Sequence, residues 1–305
     1  MKRFFRYACF LGALVSAASA AMEQWTRERD GATIRAELKE FDAESGEVSL
    51  KLEDGRDAVI SEAILIEAHR QRLQKIAAEI AAKEEASKKP RLETVTPEDG
   101  GGHKLHVYKP AGYLDGDPAN RKRPIAFLYA PGGHSMRVLK RLKPAAGELG
   151  WVLVGVDAYR NTKSVEHRYD ERMDNTASAF EWVEENVEFA SDKIVFGGMS
   201  GGAWWSYQSA SDLTRDAAGI LAFGGWMGKM HDKRYSRDMA VVMINGSKDK
   251  NAIHFETIDG DFLRDRASAD VKIFRFSGGH TLAPADVARK AARWIHETKQ
   301  FGGGY

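Results

Sequence analysis

The sequence predicts an α/β protein: a mostly parallel sheet with helices on both faces, preceded by a small β module and a charged helical linker. Three observations lead there. From residue 92 onward, continuous apolar runs of four to eight residues alternate with longer mixed segments. Strands buried on both faces read this way, and the intervening helices cover the sheet. Residues 23–60 instead alternate apolar and polar residues between turn signals. Residues 61–89 space their apolar residues as a helix does.

Composition bounds the function. The 305 residues allow one large or two smaller domains. At 43% hydrophobic and 29% charged, the chain is globular in composition. A net charge of +1 gives no general electrostatic case for binding nucleic acid. The lone Cys9 excludes an internal disulfide framework and a cysteine-only metal cage.

Residues 1–20 read as a cleaved signal peptide. Lys2, Arg3 and Arg6 form a basic start, a run too short to span a bilayer follows, and Ala18 and Ala20 fit the small-residue cleavage rule. Cleavage removes three of the 45 basic residues and none of the 44 acidic ones, for a mature charge of −2. It also removes Cys9, which suits an oxidising compartment. The expected location is the periplasm or the extracellular space, with no membrane span left in the mature chain.

The β module covers residues 23–60. Residues 32–38 and 48–52 alternate apolar and polar, Ser45-Gly46 marks a turn, and Asp54-Gly55 is a hairpin signal before residues 58–60. Three short strands with Trp25 in front suggest a small barrel-like sheet. The linker, residues 61–91, has Ser61 as a helix cap and Ile64, Ile66, Leu73, Ile76 and Ile80 as an apolar stripe. It ends in a polar run that stops at Pro90.

The remaining domain, residues 92–300, carries strand candidates at 105–108, 125–129, 151–156, 193–196, 219–223, 240–244 and 271–274. Helix candidates lie at 136–149, 171–187, 202–212, 255–268 and 284–299.

Chemistry concentrates at the ends of these strands. Gly198-Met199-Ser200-Gly201-Gly202 lies between a strand and a helix. That context is a nucleophile elbow, Gly-x-Ser-x-Gly, in which small neighbours allow a strained serine backbone. A serine needs a base, and the base needs an orienting acid. Asp249 follows the strand at 240–244, and His280 follows the strand at 271–274 on a glycine-rich loop. The expected relay is Ser200 as nucleophile, His280 as base and Asp249 as orienter. Asp259 and Asp261 are the alternative acids, and His254 and His134 the competing histidines. An oxyanion hole needs two backbone N–H donors. Gly201 is one candidate, and Gly133 or His134, on the loop after residues 125–129, is the other. Trp226 and Met199 are candidates to line the substrate pocket. Trp204 and Trp205 read as helix packing, and Arg160 as a surface ion pair. The nine histidines show no metal-ligand spacing, so neither metal nor cofactor is expected.

Two resemblances follow from these residues. Pro-Gly-Gly-His (131–134), Gly-Met-Ser-Gly-Gly (198–202), Gly-Ser-Lys-Asp (246–249) and Gly-Gly-His (278–280) together resemble the α/β-hydrolase superfamily over roughly residues 100–300. The wording is similar to secreted esterases of the polyhydroxybutyrate-depolymerase and feruloyl-esterase kind and to dienelactone-hydrolase-like proteins. Pro131 stands where the family's esterase loop has a leading His. The resemblance implies an α/β-hydrolase fold and metal-independent acyl transfer on small or polymer-linked esters. A serine peptidase of the same fold, or a tethering protein with an inactive hydrolase domain, are the alternatives. Trp25, Gly31, Ala36-Glu-Leu38, Val48-Ser-Leu50 and Asp54-Gly55 resemble the Sla-one homology domain, an SH3-like β module. That resemblance implies a peptide or protein partner or a purely structural role.

Overall fold

A computed structural model of the chain describes residues 21–98, 102–159, 169–214 and 216–302. The leader with Cys9, Arg160 and the last three residues lie outside the described residues. The chain divides into two compact units, one through Ala86 and one from Ser87.

The first unit is an antiparallel meander of four strands: β1 (Glu23–Thr26), β2 (Thr33–Asp42), β3 (Glu47–Leu52) and β4 (Asp57–Ser61). Its alternation buries Ala36, Leu38, Phe41, Val48 and Leu50 with Trp25. The sequence suggested three strands, with Trp25 ahead of them. Trp25 instead lies on a strand of its own, and its indole donates to the Ala36 carbonyl at 3.2 Å. Beyond β4, Ser61 caps a short turn of 3₁₀ helix, Glu62–Ile64, not the long helix. Leu65 is extended, and the Ile66 N–H donates to the Thr26 carbonyl at 3.1 Å, which draws this segment alongside β1. The long helix α1 (Glu67–Ser87) therefore starts later than its apolar stripe suggested and buries Leu73 against the meander.

The second unit is one sheet of eight strands. They are β5 (Arg91–Val95), β6 (Leu105–Lys109), β7 (Ile125–Tyr129), β8 (Val152–Val156), β9 (Ile194–Met199), β10 (Ala217–Phe223), β11 (Ala240–Gly246) and β12 (Asp270–Phe276). The spatial order is β12-β11-β10-β9-β7-β8-β6-β5. β5 and β6 run antiparallel at one edge, and the strands from β8 to β12 are mutually parallel. β5 falls at the expected end of the linker and was not foreseen. Its burial alternates, as befits an edge strand with one neighbour.

Five helices cover the sheet: α2 (Met136–Leu149), α3 (Tyr169–Asn186), α4 (Gly201–Asp212), α5 (Lys250–Ala267) and α6 (Ala285–Thr298). One core joins α2 and α6 to one face of the sheet; the other joins α3, α4 and α5 to the opposite face. On α6 the buried residues Ala288, Ala291, Ala292 and Ile295 recur at helical spacing, which makes one stripe for the sheet. β6 to β11 are buried along nearly their whole length. Each fully buried Val, Leu or Ile there stabilises the sheet by ~1.5–3 kcal/mol. The parallel strands also present their C-terminal ends along one edge, which is where the candidate residues stand. No helix among the described residues is long and apolar enough to cross a membrane.

Candidate active site

β9 ends at Met199, and the chain turns directly into α4. Ser200 sits on that turn with φ 54° and ψ −118°, a conformation that a residue with a Cβ adopts only under strain. The glycines around it answer to sterics. A Cβ on Gly198 would lie 2.3 Å from the Gly202 carbonyl oxygen, and one on Gly202 would lie 2.4 Å from the Tyr129 carbonyl oxygen. Strand, helix and neighbouring strand are thus packed backbone to backbone. The turn itself is pinned by the Ser200 N–H, which donates to the Phe223 carbonyl of β10 at 2.8 Å.

His280 Nε2 lies 2.8 Å from Ser200 Oγ, and His280 Nδ1 lies 2.7 Å from Asp249 Oδ2. A carboxylate can only accept, so Nδ1 carries the proton and Nε2 accepts from the serine hydroxyl. Asp249 is buried, whereas the His280 side chain is about half exposed. Asp249 also caps α5: its other oxygen accepts from the Ala252 N–H at 3.3 Å. The loops carrying the acid and the histidine are zipped together. Ser247 N–H donates to the Phe276 carbonyl, and Lys248 N–H to the Gly278 carbonyl, both at 2.8 Å. Gly246 permits this approach, since a Cβ there would meet the Gly279 oxygen at 2.3 Å.

Of the alternatives, His134 lines the same cleft, but it is His280 that meets Ser200 Oγ; the others stand elsewhere. Asp259 is a buried residue of α5 itself and accepts from the Met227 N–H at 2.8 Å, with His231 at 2.9 Å. Burial raises its pKa against those hydrogen bonds. Asp261 pairs with Arg264 on the surface. His254 lies on α5, edge-on to Phe255.

The loop after β7 faces Ser200. Gly133 N–H closes a turn on the Ala130 carbonyl at 3.3 Å, while the His134 N–H has no acceptor among the described residues. On the other side, the Gly201 N–H begins α4 and has no carbonyl upstream within the helix. Between them lies a cleft of about 220 Å³ lined by Pro131, His134, Arg137, Met199, Ser200, His280, Thr281, Leu282 and their neighbours. Met199 is one of the residues lining this cleft. Trp226 is not among the lining residues and stacks on Phe255, with centroids 5.3 Å apart. Trp205 is buried, stacks on Tyr159 and donates to Thr176 Oγ1 at 3.1 Å.

One polar cluster beside the cleft went unread in the sequence. Ser135 precedes α2 but leaves the helix uncapped; its N–H and hydroxyl both donate to Asp157 Oδ1 at the end of β8, at 3.0 and 2.6 Å. The other Asp157 oxygen lies 3.2 Å from His106 Nε2, and His106 Nδ1 lies 2.9 Å from the Thr94 hydroxyl. This cluster fixes the residue that follows His134. No local pattern announces it, because its members come from β5, β6, β8 and the α2 start.

No family model and no curated protein sequence matches the chain. Solved structures do. The dienelactone hydrolase of Anabaena variabilis superposes with a TM-score of 0.52 at 14% identity, over 70% of this chain and 98% of that one. The native esterase 2 of Thermogutta terrifontis gives 0.52 at 16%, over 71% and 94%. The Bacillus cereus carboxylesterase gives 0.50 at 16%, over 65% and 95%. Likeness at such identities is a likeness of architecture, and the architecture is the α/β-hydrolase fold.

Proposed function

We propose that this chain is an exported serine hydrolase that cleaves carboxylic esters through an acyl-enzyme on Ser200. The observation that carries the reading is the unbroken relay from Ser200 Oγ through His280 to the buried Asp249. Export rests on the leader-like residues 1–20.

In the first step, His280 Nε2 takes the hydroxyl proton as Ser200 Oγ bonds to the ester carbonyl carbon. The carbonyl oxygen becomes an oxyanion, bound by the N–H groups of Gly201 and His134. The free N–H of His134 favours it over Gly133, whose N–H is already engaged. Asp249 holds the imidazole in the tautomer that accepts this proton and stabilises the imidazolium. The oxyanion collapses, the carbon–oxygen bond to the alcohol breaks, and His280 returns the proton to the leaving alcohol. Water then repeats the sequence on the acyl-enzyme: it gives its proton to His280, releases the acid and restores the Ser200 hydroxyl. Nothing in these steps draws on the first unit. Its antiparallel meander with a buried Trp25 is compatible with an SH3-like module of the Sla-one homology type.

The Thermogutta terrifontis esterase 2, of the same fold, has been solved phosphorylated by paraoxon. A fluorophosphonate probe therefore makes the first test. It should label the wild type and leave Ser200→Ala unlabelled; equal labelling of both, or of neither, would overturn the reading. Asp249→Asn should lower kcat on para-nitrophenyl esters by ~10⁴-fold, the scale set by losing the correct imidazole tautomer. Hydrolysis of peptide amides but not of esters would replace the esterase by a peptidase.

A further inference from the structure

The cleft beside Ser200 contains no Asp or Glu among its lining residues, and its one permanently charged group is Arg137. Arg137 is exposed, and its guanidinium makes no ion pair or hydrogen bond with any described residue. Asp157 is the acid on the adjoining segment, but it is committed to Ser135 and His106 and does not line the cleft. Lys140 and Arg141 follow Arg137 by about one helical turn and likewise make no ion pair or hydrogen bond through their side chains with any described residue.

This charge pattern opposes helix stability. α2 has no acidic residue in its first turn, and its only acid, Glu148, stands near its C-terminal end, paired with Arg293. Cations at a helix start and acids at its end both run against the helix dipole. Arg137 and Arg141, four apart, also repel each other. A helix arranged for its own stability would carry the reverse order. The arrangement gains its return when an anion enters the cleft.

We infer that the substrate is an anionic ester, whose carboxylate or equivalent oxyanion Arg137 binds beside Ser200. This deepens the esterase reading and rests on it. A guanidinium grips a carboxylate with two parallel N–H donors, which supplies orientation as well as attraction. The cleft, at about 220 Å³, takes only a small group, so the anion lies within a few bonds of the reacting carbonyl. Lys140 and Arg141 extend the positive field along the helix toward solvent and speed encounter with an anion.

Matched substrates test this in two arms. The acyl arm compares the para-nitrophenyl monoester of glutaric acid with para-nitrophenyl pentanoate. The alcohol arm compares para-acetoxybenzoate with para-acetoxybenzamide. The wild type should favour the anionic member about tenfold in kcat/KM in one arm, which identifies the half that carries the charge. The preference should shrink as salt is raised, collapse in Arg137→Gln and survive in part in Arg137→Lys. A wild type that favours the neutral member in both arms, or a preference that outlasts Arg137→Gln, overturns the inference. Calorimetry of glutarate binding to Ser200→Ala, with and without Arg137→Gln, separates the two claims. Arg137-dependent binding in a protein that cleaves none of the four esters sinks the esterase reading alone. Ser200-dependent hydrolysis without anion preference sinks the anion site alone. Neither binding nor hydrolysis sinks both.

Discussion

Asp157 holds Ser135 by two hydrogen bonds to one carboxylate oxygen, from the backbone N–H at 3.0 Å and from the hydroxyl at 2.6 Å. The pair ties the end of β8 to the start of α2, immediately after His134. Asp157 therefore positions the loop that lines the cleft beside Ser200. Asp157→Ala leaves both Ser135 donors without their acceptor and should cost ~1–3 kcal/mol in denaturant unfolding. It should also lower kcat on a para-nitrophenyl ester by more than it raises KM, because a displaced His134 N–H weakens binding of the oxyanion rather than of the ester. A kcat within twofold of wild type would show that the loop keeps its place without Asp157.

The glycines near the relay should respond very unequally to alanine. Gly198→Ala drives a methyl to within 2.3 Å of the Gly202 oxygen and 2.8 Å of the Tyr129 oxygen, both backbone atoms that cannot swing aside. Such overpacking should destabilise the protein by about 3 kcal/mol or more. A Cβ on Gly279, next to His280, meets nothing within 4 Å. Gly279→Ala should stay within about 0.5 kcal/mol of wild type in stability. Equal melting temperatures for the two variants would contradict the backbone-to-backbone packing at the elbow.

His296 should make stability fall on the acid side. The Trp151 indole donates to its Nδ1 at 3.0 Å, so the imidazole is neutral in the fold. Burial holds its pKa below the ordinary histidine value, with Lys193 adding to the effect and Glu297 opposing it. Below that ordinary value the unfolded chain binds a proton that the folded chain resists. The stabilising contribution is therefore complete above it and declines as pH falls through the depressed value. Melting temperatures taken between pH ~5 and ~7 should slope less in His296→Leu than in wild type. An unchanged slope would assign the acid sensitivity to other groups.

What the sequence disclosed was local. The elbow was readable because Gly198, Ser200 and Gly202 answer to contacts within one strand-turn-helix unit. The helix at 136–149 was bounded to the residue, since Gly150 at its end takes the left-handed conformation that glycine favours. Asp249 and His280 could be placed side by side because strand order alone brings their loops to one edge. What escaped depends on distant partners. β5 has a mixed composition and becomes a strand only by pairing with β6. Trp226 follows a strand at the right edge, yet its ring stacks on Phe255 of α5 and it is not among the residues lining the cleft. Arg137 looks like any solvated arginine until the fold sets it beside Ser200.

The two sides of the cleft are built independently. Asp249 and His280 are aligned by backbone hydrogen bonds between the loops after β11 and β12, and no side chain from the α2 side takes part. Across the opening stand His134, Arg137 and their neighbours. Under the proposed esterase reading, exchanging residues on α2 would thus retune substrate choice while Ser200, His280 and Asp249 stay in register. A redesign campaign for new esters has a natural place to start there, and a natural place to leave alone.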